Sequence, residues 1–405
     1  MTTSSQKVIR DVTLILPNCK LTQQSVLIEN DQILDIVDDP AASAPTHWET
    51  PEVISGKGGY LTPGLIDLQI NGGFGINFGN AGLKEIQTVL QKLPKHGVTR
   101  ILPTLITAPV LDMAKAVSNL EQLIHMHKPT HAQIMGLHLE GPMLNPQLHG
   151  AHPIEHILKD SSMENDLQVL LSPNLKLVTL APETDPQGSM IRSLTQRKVK
   201  VLAGHSNATE SDITDAIKSG LCGVTHLYNA MRPFHHRDPG IIGATLTQDS
   251  LYANIIADGV HVHPTALEIL LRCKHFSKIN LVSDAMPLAG LETGSEQFFG
   301  GKQVIHQGHQ AINSQGAMAG STCFLDDCIR NIVNWKLLPF EKAVALAGMN
   351  PAEFLGQGNT LGKIAKGHIA DLVLWDKDAL TVQATWIGGH LAYADQTVDA
   401  KIPVS

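Results

Sequence analysis

Glu140 ends an apolar run, "IMGLHLEGPML" at residues 134–144, with its carboxylate next to Ile134, Met135, Leu137 and Leu139. A carboxylate in such a setting is costly to desolvate unless a cation or hydrogen-bond donors compensate it. The 405-residue chain is rich in histidine, with 20 copies, and two of them repeat the pattern: His205 closes "KVKVLAGHS" and His226 closes the apolar part of "CGVTHLYNA". Two neutral imidazoles and a carboxylate make a borderline-soft set that suits one divalent ion, zinc foremost, with a fourth position open for water. One such histidine alone is more often a hydrogen-bonded core or rim side chain; three residues at successive strand ends point to a metal centre. Asp284 ends "INLVSDAM", where a carboxylate can take a proton from a water and return it to a leaving group. Its other reading is an N-cap for a following helix. His138 shares the strand face of Glu140 but lies deeper, and either support of the ligands or plain packing fits it.

These side chains act together only if the fold gathers positions 140 to 284 at one place. Eight strand-like runs are present: "LTPGLIDLQING", "VTRILPTLIT", "AQIMGLHLEG", "LKLVTLAPE", "KVKVLAGHS", "CGVTHLYNA", "YANIIADGVH" and "KINLVSDAM". Segments of helical period separate several of them. In "NAGLKEIQTVLQKLPKHG" Leu83, Ile86, Val89, Leu90 and Leu93 share a face, with Asn80 as the expected N-cap and Gly97 as the stop. In "TESDITDAIKSG" Thr209 and Asp212 form an expected capping box and Gly220 a C-cap. This alternation predicts an α/β fold, a TIM-like (β/α)8 barrel over 60–365, with a doubly wound open sheet as the alternative. The active face of such a barrel lies at the C-terminal strand ends, where Gln69, Asn71, Glu140, His205, His226, His261 and Asp284 fall. Residues 1–59 and 366–405 are β-rich, with turns expected at Asn30-Asp31 and Gly388-Gly389. They are expected to pair into one small β-sandwich domain, because chain termini often lie close together.

Composition narrows the partners. The net charge of −8 comes without any Lys/Arg run, which argues against nucleic acid. The start lacks the basic-then-apolar pattern of a secretory signal, and no apolar stretch reaches membrane-spanning length. Five cysteines, an odd number with no C-x-x-C, are expected to be reduced thiols in a cytoplasmic protein.

Over nearly its whole length the chain resembles the N-acetylglucosamine-6-phosphate deacetylases of the amidohydrolase superfamily. The resemblance rests on "PGLIDLQING", "GLHLEGPML", "GHSNAT", "THLYNAM", "DPG", "IADGVH", "LVSDAM", "MAGST" and "GKIAKGHIADLVLWD". It implies a barrel with a small β-domain built from both termini, and a divalent metal on Glu140, His205 and His226. It implies that His152, in "HGAH" beside Ala151, bonds the acetyl carbonyl, and that Asp284 is the catalytic acid/base. It further implies that Asn229, Ala230, Arg237 and His261 meet the sugar phosphate, and that Met318, Ala319 and Gly320 line the acetyl end. A homodimer and a sugar-phosphate substrate follow from the same resemblance. Iron, manganese and cobalt remain alternatives to zinc.

Two departures bear on the site. Many amidohydrolases end strand one with H-x-H, which holds a second metal; here the place reads Gln69-Ile70-Asn71, and amides are poor ligands beside imidazole. A single-metal centre is therefore expected, a form that part of the deacetylase family shares. In "MRPFHHRDPG" Arg232 competes with Arg237 for the phosphate role, and the spacing to "DPG" favours Arg237. His235 and His236 read as solvated loop residues, and His263 and "HMH" at 125–127 as surface or packing histidines. The rival functions are a deacetylase for the galactosamine epimer, a hydrolase of cyclic amides or N-acyl amino acids, and a sugar-phosphate sensor without chemistry.

Overall fold

The computed structural model describes residues 5–398 apart from 18, 49, 127, 159–167, 315 and 317. His127 and the tail beyond 398 thus lie outside the described residues. All eight expected runs contain a strand, at Leu65–Ile70, Val98–Ile106, Leu137–Glu140, Leu175–Leu180, Lys200–Ala203, Gly223–Val224, Tyr252–Ile255 and Ile279–Leu281. Each pairs in parallel with the next in chain order. The ring closes just past the strand ends, where Ile70 bridges Ala285 in parallel and the Asp284 N–H donates to the Gln69 carbonyl at 2.9 Å. That seam makes the sheet a barrel and removes the open-sheet alternative. Continuous apolar runs suit strands buried on both faces. Ile66, Leu68, Leu102, Leu177, Leu202 and Ile256 belong to one buried core, while Ile86, Val89, Leu120, Ile213 and Leu267 turn helices into a second.

Local signals placed three of the four helix ends expected from the sequence. Thr209 Oγ1 accepts the Asp212 N–H at 3.2 Å, Asp212 returns a bond to the Thr209 N–H at 2.8 Å, and Gly220 ends the helix Glu210–Ser219 at φ 116°. Asn80 is a correction. The helix starts at Leu83, because the Glu85 carboxylate reaches back to the Gly82 N–H at 2.7 Å and makes Gly82 the cap. Gly97 does end the segment, at φ 71° after the 3-10 turn Leu93–His96.

Strands from both termini form one eight-stranded sheet around Ile9, Val26, Ile28, Leu61, Leu372 and Trp386, the small β-sandwich domain. Tyr60–Pro63 joins this sheet between Gln6–Ile15 and Leu372–Trp375, and the first barrel strand follows at Leu65–Ile70. The domains are tied by polar bonds. Arg100, on the second barrel strand, donates to Asp371 at 2.7 Å, and Thr385 donates to the Pro94 carbonyl at 2.7 Å.

One element has no counterpart in the expectations. After the eighth barrel strand the chain forms a four-stranded antiparallel sheet, Glu296–Phe299, Lys302–Gln307, Gln310–Asn313 and Met318–Ser321. It rests over the barrel mouth. Gly300, at φ 57°, approaches so closely that a Cβ there would stand 1.9 Å from the Ala151 carbonyl oxygen. Among the described residues no helix is long and apolar enough to cross a membrane, and all five cysteines are free.

Asp371 is nearly buried, and its Oδ1 also accepts the Gly388 N–H at 2.8 Å. Asp371→Ala leaves the Arg100 guanidinium without its partner and is expected to cost about 3 kcal/mol, read from denaturant unfolding.

Candidate metal centre and active site

Glu140 ends the third barrel strand, while His205 and His226 stand in the exit loops of the fifth and sixth. The fold brings all three together in a buried cluster. His226 Nε2 lies 2.9 Å and His205 Nε2 3.2 Å from Glu140 Oε1, and the two ring nitrogens are 3.1 Å apart. His205 Nδ1 sits 2.9 Å from the Leu148 carbonyl, which can only accept. Nδ1 can donate there, and Nε2 is the nitrogen that meets Glu140 and His226 and that a cation would take. Burial would raise the Glu140 carboxyl, but bonds from both imidazoles outweigh it and hold it well below the ordinary range. A carboxylate and two imidazoles whose ligand atoms converge at one buried place fit a divalent cation.

A second group of side chains has the types for a metal but not the charge balance. His96, Asp326 and Asp327 lie together, yet Arg330 pairs with both carboxylates. That cluster is a salt-bridge network.

The proposed acid/base and oxyanion groups flank the metal cluster. Asp284 lines the same cavity of about 320 Å³ as Glu140, His205 and His226. Burial, and then the nearby Glu140 charge, push its carboxyl up to about 6. His152 is buried, and burial holds its imidazole well below the usual value, so the ring is neutral. The Thr107 backbone N–H donates to His152 Nδ1 at 3.2 Å, which leaves the proton on Nε2, 4.0 Å from Glu140 Oε2. A neutral imidazole thus presents an N–H donor to the cleft. Gly141, just after Glu140, lets the chain pass this assembly at φ 82°; a Cβ there would stand 2.4 Å from Thr107 Oγ1.

His205 (φ 48°), His226 (φ 31°), Ala230 (φ 49°) and Asp284 (φ 47°) all adopt left-handed backbone conformations. Such a conformation costs a non-glycine residue about 1 kcal/mol or more, and it persists where surrounding bonds over-determine it.

Most residues singled out from the sequence meet at this cavity. Ala151, His152, Asn229, Ala230, His261, Met318, Ala319 and Gly320 line it with the metal cluster and Asp284. Arg237 does not. It is exposed on its loop, while the neighbouring Arg232 is tied to Asp238. No lysine or arginine lines the cavity among the described residues. His138 is not in the cavity wall; it is buried, bonded to Thr179 at 2.8 Å and Thr104 at 3.2 Å, and burial lowers its pKa to about 4.

Sequence reasoning missed several supporting groups. Asp258 holds His261 Nδ1 at 2.6 Å, and its position in "IADGVH" was the available signal. Ile106, Leu148 and Phe299 form apolar wall, the last from the unanticipated sheet. Gln69 donates to Glu140 Oε1 at 3.2 Å and Asn71 to Asp284 Oδ1 at 2.8 Å, so the amides that replace H-x-H hold the two carboxylates.

A closed parallel barrel with a metal-ligand cluster and a carboxylate at its mouth defines a class, and the chain belongs to the amidohydrolase family, whose description matches residues 60–392. It is 39% identical over 349 residues to the N-acetylglucosamine-6-phosphate deacetylase of Homo sapiens, covering 83% of this chain and 84% of that one. It is 36% identical to the N-acetylgalactosamine-6-phosphate deacetylase of Escherichia coli O157:H7, covering 82% and 87%. The crystal structure of the Pasteurella multocida N-acetylglucosamine-6-phosphate deacetylase superposes with a TM-score of 0.88 at 29% identity, covering 96% and 100%.

Glu140→Ala is expected to reduce bound divalent metal at least about tenfold by elemental analysis, because one charged ligand of three is lost. His96→Ala is expected to leave metal content unchanged.

Proposed function

We propose that this protein hydrolyses N-acetyl-D-glucosamine 6-phosphate to D-glucosamine 6-phosphate and acetate, a step of amino-sugar catabolism. The observation that carries the proposal is the convergence of Glu140, His205 and His226 with Asp284 and His152 on one cavity. Glu140, His205 and His226 would hold one divalent ion, zinc before iron, manganese or cobalt by their donor types. When bound, that ion supplies Lewis acidity and makes a nucleophilic hydroxide available near neutral pH.

The protein's own groups do the rest. Asp284 accepts a proton from the attacking water and passes it to the amide nitrogen, since an amine leaves far more readily than an amide anion. The His152 Nε2–H stabilises the developing oxyanion, a donor worth about 3 kcal/mol in comparable sites. Ala151, Met318, Ala319 and Gly320 enclose the acetyl end. Asn229, Ala230 and His261 receive the phosphate end, with Asp258 fixing the His261 ring. Binding of the remote phosphate orients the acetamide for attack.

A phosphate needs more cationic support than one imidazole supplies. Arg237 is exposed on the loop that follows His226, and we place it at the interface of a homodimer, where it reaches the phosphate of one of the two sites. The five free cysteines support a cytoplasmic location. The galactosamine epimer is the second reading, favoured by the Escherichia coli relative.

A panel of phosphorylated and plain N-acetylhexosamines, assayed for acetate release, tests the proposal. N-acetylglucosamine 6-phosphate is expected to give the highest kcat/KM, and equal turnover of the unphosphorylated sugar would overturn the phosphate assignment. Asp284→Asn is expected to lower kcat by about 10³-fold or more with metal content retained. Arg237→Ala is expected to raise KM for the phosphorylated substrate, with kcat changed far less.

A further inference from the structure

The first barrel strand ends in two amides, and both are buried. Asn71 is pinned on each side of its peptide: its N–H donates to the Ala285 carbonyl at 2.7 Å, and its carbonyl accepts the Phe78 N–H at 3.0 Å. Its side chain therefore has little freedom, and Nδ2 lies 2.8 Å from Asp284 Oδ1. An ionised carboxylate can only accept, so the amide must present its nitrogen to Asp284. The Asn71 Oδ1 atom is left buried with no partner among the described residues, at the wall of the catalytic cavity.

Asp284 needs such a clamp. Its backbone is left-handed, held there by its N–H bond to Gln69 and by its place beside the closing bridge to strand one. A carboxylate on that backbone can still rotate about its last torsion and exchange its two oxygens. Donation by Asn71 to Oδ1 breaks this symmetry and leaves Oδ2 for the cleft.

We propose that Asn71 is a positioning residue for the proton transfer, its amide N–H holding Asp284 Oδ1 so that Oδ2 faces the reacting water and the leaving nitrogen. The inference rests on the acid/base reading of Asp284. The proton that Oδ2 takes as the water oxygen bonds to the carbonyl carbon returns to the amide nitrogen as the carbon–nitrogen bond breaks, so Asp284 ends the cycle ionised. Asn71 exchanges no proton. It stands where an H-x-H pair would set an imidazole, and here a neutral amide N–H meets the carboxylate instead.

Two variants of the metal-loaded enzyme test this, with Asp284→Asn alongside. Asn71→Ala removes the donor. Asn71→Asp keeps the size but sets a second carboxyl, an acceptor that also repels Asp284, against Oδ1, so wild-type turnover there would leave the amide donor no role. Both are expected to lower kcat by about 10- to 100-fold, with KM within about threefold and metal content unchanged. If Asn71→Asp turns over at the wild-type rate while Asp284→Asn is inactive, the positioning role is wrong and the acid/base reading stands. If Asp284→Asn is itself active, the underlying reading fails. Loss confined to KM, or loss of metal, would assign Asn71 to substrate or ion and overturn the proposal.

Discussion

A carboxylate buried at the end of an apolar strand is stable only if compensation arrives from other parts of the chain. Glu140 meets that condition with three contacts: two imidazoles from the fifth and sixth strand exits and an amide from the first. Strand order, exit-loop geometry and barrel closure all bear on whether these groups arrive. The left-handed conformations of His205 and His226 belong to the same constraint, since they let each chain turn sharply at the mouth with its ring directed inward.

The seam between the first and last barrel strands extends that constraint to Asp284. The last strand is only three residues long, Ile279–Leu281, and much of the closure comes from bonds beyond it. Asp67 contributes from the first strand, its Oδ1 accepting the N–H groups of Gln69 and Ser283 at 3.2 Å each. One buried carboxyl thereby connects the segment that supports Glu140 with the segment that carries Asp284. Burial pushes the Asp67 pKa up to about 7, which limits the negative charge it adds beside the other two carboxyls.

What could be read from the sequence follows from range. The eight strands were legible because burial on both faces writes a continuous apolar run, and the cluster of Glu140, His205 and His226 because polar residues interrupt the ends of those runs. Thr209 and Gly220 were legible because caps act over three or four residues. Asn80 misled because Glu85, deeper in the first turn, selected Gly82 instead. The sheet over the mouth was hidden because its strands are short and half exposed, with mixed residues such as "EQFF" and "KQVIHQ" between glycine turns. The partners of Gln69, Asn71, Thr107 and Asp258 depend on loop geometry or on strands remote in sequence. No pattern along the chain could supply them. Arg237 shows the opposite limit, since its spacing to "DPG" was legible while its placement relative to the cavity was not.

The sheet built from both termini bears on how the protein is made. Gln6–Ile15 and Lys20–Glu29 can pair as soon as they are synthesised, but Tyr60–Pro63 gains its second neighbour only when Leu372–Trp375 is made, roughly three hundred residues later. Until then the nascent chain carries an open strand edge and an apolar face without Trp375 and Trp386, two of its largest fully buried side chains. A ribosome that stalls within the barrel therefore releases a product with a sticky edge, a target for chaperones or for aggregation.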